Sequence, residues 1–275
     1  SGPSILLIFD AAMNRRVGRS RQIHNGLHQA LAQGDLQVFY QPQVQIATGK
    51  VVGFEALLRW PHDTLGWISP AEFIPVAEQS GIIVPIGEWV MRTAAQQAAQ
   101  WLAQGHQGFR MAVNLSVRQF ASKGLPLLVQ EILRDTGLPP HMLELEVTES
   151  MALQNVASTL STLHACKALG VKLAMDDFGT GYSSLAYLKL YPLDALKIDQ
   201  AFVRNITQDL GDAAITRAIV AMAHSFGMTV IAEGVETVAQ LEFLKSLGCE
   251  DFQGFLFSKP VPAENAVLCF SGYRG

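Results

Sequence analysis

The chain is poor in cysteine: 3 of its 275 residues, Cys166, Cys249 and Cys269. An odd number at wide spacing fits neither a zinc-binding pattern nor a disulfide framework. A reducing, cytoplasmic-type setting is therefore expected. Charged residues are only 16% of the total and the net charge is -4, unlike the basic surface that binds a nucleic-acid polymer. An anionic substrate stays open if metals and a few basic residues neutralise it locally. No apolar run has membrane-span length; Ile5-Leu6-Leu7-Ile8-Phe9 is far too short. No secretory signal, low-complexity tract or short internal repeat is legible. No Gly-x-Gly-x-x-Gly follows the first predicted strand, which weighs against a dinucleotide fold.

What is present is 49% hydrophobic residues, enough for a large core. Val17, Ile23, Leu27 and Leu31 have helical spacing within Ala11–Gln33, a leading helix that Gly34-Asp35 stops. Val38–Ile46 and Val51–Trp60 then read as two strands joined by a turn at Thr48-Gly49. Helices are expected over Pro70–Gln79 and Glu88–Gln104, the latter rich in Ala and Gln. Beyond them strands alternate with helices. The strands are Met111–Leu115, Leu143–Val147, Val171–Asp176, Ala195–Ile198, Thr229–Ala232 and Asp251–Phe255. Helices end near Gly137 and Gly170, and others cover Ser183–Leu190, Asp212–Phe226 and Val238–Leu247. About eight strands alternating with helices at this length predict a modified TIM (β/α)8 barrel. The hairpin-like start implies one antiparallel strand near the N-terminus. A doubly wound open sheet is the alternative. No linker or composition shift divides the chain, so one domain is expected over 27–275, with 1–26 as an N-terminal linker and leading helix.

Barrel active sites stand at the C-terminal ends of the strands. There the sequence places Glu55, Asn114, Glu146, Asp176 with Asp177, Lys197, Glu233 and Gln253, each among apolar neighbours. Any one of them is as readily a structural salt bridge or a cap, but chance convergence on seven strands is far less expected. Adjacent carboxylates such as Asp176 and Asp177 repel each other and call for a cation. Glu55, Asn114, Glu146 and Asp176 are oxygen donors suited to Mg²⁺ or Mn²⁺. Asp177 can serve a second metal, and two close metals suit in-line attack at a phosphoryl centre. Lys197 and Glu233 can orient or deprotonate water. Arg59 carries the planar fork that matches a phosphate.

The motif spellings resemble one family. Glu55-Ala56-Leu57-Leu58-Arg59-Trp60 resembles the signature that names the EAL domain. So do Asn114-Leu115-Ser116, Glu146-Val147-Thr148-Glu149-Ser150, and Asp176-Asp177-Phe178-Gly179-Thr180-Gly181-Tyr182-Ser183-Ser184. Lys197-Ile198-Asp199, Ala232-Glu233-Gly234-Val235-Glu236 and Gln253-Gly254-Phe255 complete the order, from about Leu27 to Pro262. The resemblance implies a metal-dependent phosphodiesterase that opens cyclic di-GMP to linear pGpG. It implies metal ligation by Glu55, Asn114, Glu146 and Asp176, with Asp177 on a second metal. Ca²⁺ is expected to inhibit where Mg²⁺ or Mn²⁺ support turnover. Lys197 matches the water-positioning lysine, and Glu233 a glutamate at the metal–water centre often proposed as general base. Glu149 matches a glutamate that holds the loop after Asp177. Asp199, Glu236 and Gln253 match supporting positions, and Gln41 and Arg59 match substrate contacts.

A non-catalytic cyclic di-GMP receptor is the competing reading, which the intact acidic set disfavours. A barrel enzyme acting on another phosphodiester is a third. Phe9–Asn14 resembles the junction that follows a GGDEF domain, so an upstream GGDEF or sensory domain is expected, in a parent protein that is cytoplasmic or anchored to the inner membrane. A homodimer is expected from the resemblance alone, and no membrane contact by the domain itself. His24 and His28, four apart, read as a solvated helix face rather than a metal pair. Trp60, Trp67, Trp89 and Trp101 read as core or interface, and Cys166 and Cys249 as small buried hydrophobes. Phe178-Gly179-Thr180-Gly181 reads as the loop carrying Asp177 rather than as a phosphate cradle.

Overall fold

A computed structural model describes residues 3–122, 124–154, 156–179 and 188–272. It resolves into two compact units: residues up to Gln37 together with Leu58–Ile86, and Val38–Leu57 together with the chain from Gly87 onward.

In the first unit the leading helix runs over Pro3–Gln33 and so begins well before Ala11. Ile23, Leu27 and Ala30 recur at helical spacing and are buried. Trp60 is buried and meets the Phe73 ring edge-on at 5.6 Å. Arg19 pairs with Glu72 on the helix Pro70–Ser80 at 2.6 Å.

In the second unit, strands β1 (Gln37–Gln45), β2 (Val51–His62) and β4 to β9 form a closed ring of eight. The later strands are β4 Arg110–Asn114, β5 Leu143–Thr148, β6 Lys172–Phe178, β7 Ala195–Ile198, β8 Thr229–Ala232 and β9 Asp251–Phe252. β2 and β4 to β9 pair in parallel, and β1 pairs antiparallel with β9 while also pairing β2. The modified barrel with one reversed strand is thus observed. β3 (Gly66–Ile68), which the sequence did not signal, belongs to the first unit and pairs antiparallel with Trp60–His62 at the far end of β2, which are first-unit residues too. Helices include Ile83–Ala103, Leu125–Thr136, Glu149–Gln154, Val156–Ala168, Leu210–Ser225 and Val238–Ser246. The helix expected to end near Gly170 is described over Glu149–Gln154 and Val156–Ala168, residue 155 lying outside the described residues. Of the expected helix Ser183–Leu190, residues 183–187 lie outside the described residues. Among the described residues no helix is long and apolar enough to cross a membrane.

Strand side chains alternate, so residues two apart share a face. Ala174, Ala195 and Ile231 cluster in the core, two residues before Asp176, Lys197 and Glu233 respectively. Packing below thereby fixes which residues point into the mouth of the barrel above.

Candidate active site

Lys197 is the hub. On the four-residue strand β7 it is wholly buried, and its ammonium lies 2.7 Å from Glu233, 2.8 Å from Glu146, 3.1 Å from Asp176 and 3.6 Å from Glu55. Burial alone would lower its pKa, but Asp176, Glu146, Glu233 and Glu55 outweigh that and hold it well above the ordinary lysine value. The opposite problem faces the acids. Burial lifts Glu146 well above the carboxylate range; Lys197 opposes this, while Glu55 and Asp176 add to it. Burial raises Glu233 to about 8, against the pull of Lys197 and with repulsion from Asp176 and Glu55 adding to it.

Asp176 and Asp177 lie inside β6, not after it, and regular alternation would send them to opposite faces. Two departures bring them together. The β6–β7 register shifts between Met175 and Phe178, and Asp177 takes a left-handed backbone (φ 53°), the one non-glycine residue to do so among those described. Bulges of this kind re-aim side chains at functional sites, and Asp tolerates the left-handed region better than most residues. Ligand oxygens of Asp176, Asp177 and Glu233 consequently fall within 4.8 Å of one another. Burial, repulsion from Asp176 and a hydrogen bond with Asp199 raise Asp177 to about 6. Asp199 itself caps the helix Gln200–Val203 by accepting from Ala201 N at 2.7 Å. Glu149, at the start of its helix, accepts from Gly179 N at 3.1 Å and so holds the backbone two residues beyond Asp177.

The other side of the mouth is organised by amides. Asn114 donates through Nδ2 to Glu55 at 2.6 Å, which leaves its Oδ1 as the atom that could hold a cation. Gln253 Nε2 donates to Glu55 at 2.5 Å and to Gln41 at 2.9 Å, and Gln41 donates to the Ser258 carbonyl at 3.2 Å. Glu55 is not at a strand end: β2 continues to His62, and Glu55 sits near the end of the stretch paired with β4. The Ser258 carbonyl had no signature in the sequence, because a main-chain acceptor leaves none.

Ten of the residues singled out thus converge: Gln41, Glu55, Asn114, Glu146, Asp176, Asp177, Lys197, Asp199, Glu233 and Gln253, with Glu149 reaching them through Gly179. Glu236 is exposed, and within the described residues only its main-chain N–H bond to Gln240 (2.8 Å) appears. Arg59 belongs to the other compact unit, where its guanidinium donates to the Leu58 carbonyl at 2.9 Å. His24 and His28 stack edge-on at 5.4 Å with His28 exposed, Trp67 is exposed, and Cys166 and Cys249 are buried.

The donor set fits hard divalent cations. Glu55, Glu146, Asp176 and Glu233 share the ammonium of Lys197, and Asp177 brings a fifth carboxylate beside Asp176 and Glu233. Glu146 Oε1 and Gln253 Oε1 are buried without a hydrogen-bond partner among the described residues. Unpaired buried oxygens are costly, and cations bound by oxygen ligands relieve that cost.

Fold and site together define a β/α-barrel protein built around an oxygen-donor centre with one buried lysine. A family model described as EAL domain matches residues 24–260, and the chain belongs to the EAL domain family. It is 47% identical over 259 residues to the bifunctional diguanylate cyclase/cyclic di-GMP phosphodiesterase MucR of Pseudomonas aeruginosa, covering 94% of this chain and 38% of that protein. It is 40% identical over 256 residues to the cyclic di-GMP phosphodiesterase PdeR of Escherichia coli, covering 93% and 38% respectively. The chain therefore spans well under half the length of these relatives. The solved structure of the PaMucR phosphodiesterase in complex with c-di-GMP superposes with a TM-score of 0.87 at 48% identity, covering 89% of this chain and 99% of that one.

Proposed function

We propose that this domain hydrolyses cyclic di-GMP to linear pGpG. The observation that carries the reading is the gathering of four carboxyl groups, Glu55, Glu146, Asp176 and Glu233, on one buried lysine, with Asp177 beside Asp176 and Glu233, and Asn114 bonded to Glu55. A receptor that only binds a nucleotide gains nothing from so costly a cluster. Relatives named as cyclic di-GMP phosphodiesterases support the choice of substrate.

Glu55, Asn114, Glu146 and Asp176 would hold one Mg²⁺ or Mn²⁺, and Asp177 a second. The chemistry supplied by such cations is Lewis acidity towards water and the phosphoryl oxygens. Lys197, fixed by its ion pairs, orients the attacking water. Glu233, with its high proton affinity, accepts a proton from that water. Glu149 and Asp199 hold Asp177 in its re-aimed position. Gln253, bonded to Gln41, braces Glu55, and both glutamines enter as substrate contacts by their sequence match. Arg59 and Glu236 enter by their sequence match, as a substrate contact and a supporting acid. The domain is taken as 27–275, preceded by the leading helix, in a cytoplasmic or inner-membrane-anchored parent with an upstream GGDEF or sensory domain, and acting as a homodimer.

The test is incubation of the purified chain with cyclic di-GMP and Mg²⁺ or Mn²⁺, resolving products by chromatography. Linear pGpG is expected, with none in EDTA and little in Ca²⁺. Tight binding without product would replace the enzyme with a receptor.

A further inference from the structure

Each strand that presents a residue to the centre turns a second one inward, two residues away and one layer deeper in the barrel. Glu144 lies under Glu146, Asp251 under Gln253, Gly53 under Glu55, and Gln43 under Gln41 on the reversed strand. On the opposite side this layer is apolar, made by Ala174, Ala195 and Ile231. Barrel interiors are normally filled by branched apolar side chains throughout. Three of the eight positions in this layer, Gln43, Glu144 and Asp251, are polar instead.

Arg110, the first residue of β4, reaches two of these polar positions. Its Nε donates to Glu144 at 3.2 Å and its Nη2 to Asp251 at 3.0 Å, and these carboxylates are 3% and 8% exposed. One guanidinium thus ties β4, β5 and β9 together across the interior. Gly53 makes the space: a Cβ there would stand 2.8 Å from Arg110 Cγ and 2.6 Å from Gln43 Oε1. Buried ion-pair triads are poor devices for stability, since apolar residues of similar volume do as well or better. Where a fold departs from its own packing rule, the departure marks function. The next inward residues on β5 and β9 are Glu146 and Gln253, and Gln253 in turn holds Glu55.

We propose that Arg110 is a positioning residue for the centre, holding β5 and β9 in register so that Glu146 and the Gln253–Glu55 pair present their oxygens to the cations. The proposal rests on the metal-dependent reading of the site given above. Arg110 touches neither substrate nor reacting atoms, so it acts through Glu144 and Asp251.

Mn²⁺ binding, read from the electron paramagnetic resonance signal of free Mn²⁺, is the measurement, with cyclic di-GMP turnover beside it. Arg110→Met is expected to weaken Mn²⁺ binding about 10- to 100-fold, as loss of partners that orient metal ligands does. kcat falls with it, while KM moves less. Arg110→Lys recovers only part, because an ammonium lacks the fork that reaches both carboxylates. The triple variant R110M/E144Q/D251N removes the unpaired charges and so restores folding if Arg110→Met is unstable. It is expected to keep the Mn²⁺ defect. Wild-type Mn²⁺ affinity in the triple variant would mean that Arg110 only neutralises its neighbours, and would overturn the proposal. A wild-type chain that binds Mn²⁺ but leaves cyclic di-GMP intact would instead defeat the phosphodiesterase reading and leave this one standing. A wild-type chain that binds no Mn²⁺ would defeat both.

Discussion

Glu146 meets the Lys197 ammonium through one carboxylate oxygen at 2.8 Å, while its other oxygen is buried without a partner among the described residues. Lys197 therefore neutralises only part of what surrounds it. Lys197→Met would leave Glu146, Asp176, Glu233 and Glu55 with no cation between them. Removing one partner of a buried pair costs about 3–5 kcal/mol, so urea unfolding in EDTA should show a loss of that size. Turnover of cyclic di-GMP should fall by about 100-fold or more, the scale of loss when reacting groups are misplaced by about 1 Å. A variant as stable and active as the wild type would remove Lys197 from the hub.

The position of Asp177 depends on a contact it does not itself make. Glu149 accepts from Gly179 N at 3.1 Å and so anchors the chain just beyond the left-handed turn at Asp177. Glu149→Ala should lower kcat about 10- to 100-fold and raise the Mn²⁺ concentration needed for half-maximal rate. The melting temperature should change little, because the lost bond is a local one. Unchanged kcat would show that β6 holds Asp177 unaided.

A second ion-pair cluster supports β7 from its other end. Asp194 pairs with Lys167, lies 3.1 Å from Lys172, and accepts from Leu173 N at 2.9 Å. Burial pushes its pKa up, but Lys167, the Leu173 N–H and Lys172 outweigh that and hold it below the ordinary aspartate value of 3.8. Its folded pKa is thus lower than its unfolded one. The contribution is full above pH 3.8 and is lost as the pH falls through the depressed folded value. Asp194→Asn should cost about 1–3 kcal/mol at pH 7. Urea titrations should show that cost shrinking below pH 4 or so, as the wild type loses the same charge. A cost that stays constant down to acid pH would assign the loss to packing rather than to charge.

Much of this was readable from the residues. β7 and β8 match the predicted Ala195–Ile198 and Thr229–Ala232 because both are short buried strands with sharp ends. The outlying strand Gly66–Ile68 was silent because three residues carry no period. Glu55 reads as a strand-end residue although the expected strand runs on to Trp60, and β2 extends further still, to His62, because its last residues pair with β3. The pairing of Asp176 with Asp177 follows from a bulge and a left-handed residue, and local sequence does not announce either. Arg110, Glu144 and Asp251 did leave a signal, as charges at the starts of apolar strands two or four residues before the mouth. It carried no meaning until the strands were placed side by side.

Gly254 shows how tightly the amide side of the centre is built. A Cβ at this buried residue would lie 2.1 Å from the Val235 carbonyl oxygen and 2.3 Å from its nitrogen. Those atoms cannot yield separately, since Val235 N donates to the Gln253 carbonyl and its oxygen accepts from Leu256 N. Gly254→Ala must therefore move main chain, and with it Gln253, whose Nε2 stands between Glu55 and Gln41. The expected cost is about 1–3 kcal/mol, as for overpacked cores, together with weaker Mn²⁺ binding. Gln253→Ala loses the same two hydrogen bonds without displacing the backbone. It should therefore weaken Mn²⁺ binding with a smaller fall in melting temperature. Thermal unfolding of the two variants, with and without Mn²⁺, separates the effects. If Gly254→Ala melts with the wild type and binds Mn²⁺ equally well, the close approach of Val235 is not what sets Gln253 against Glu55.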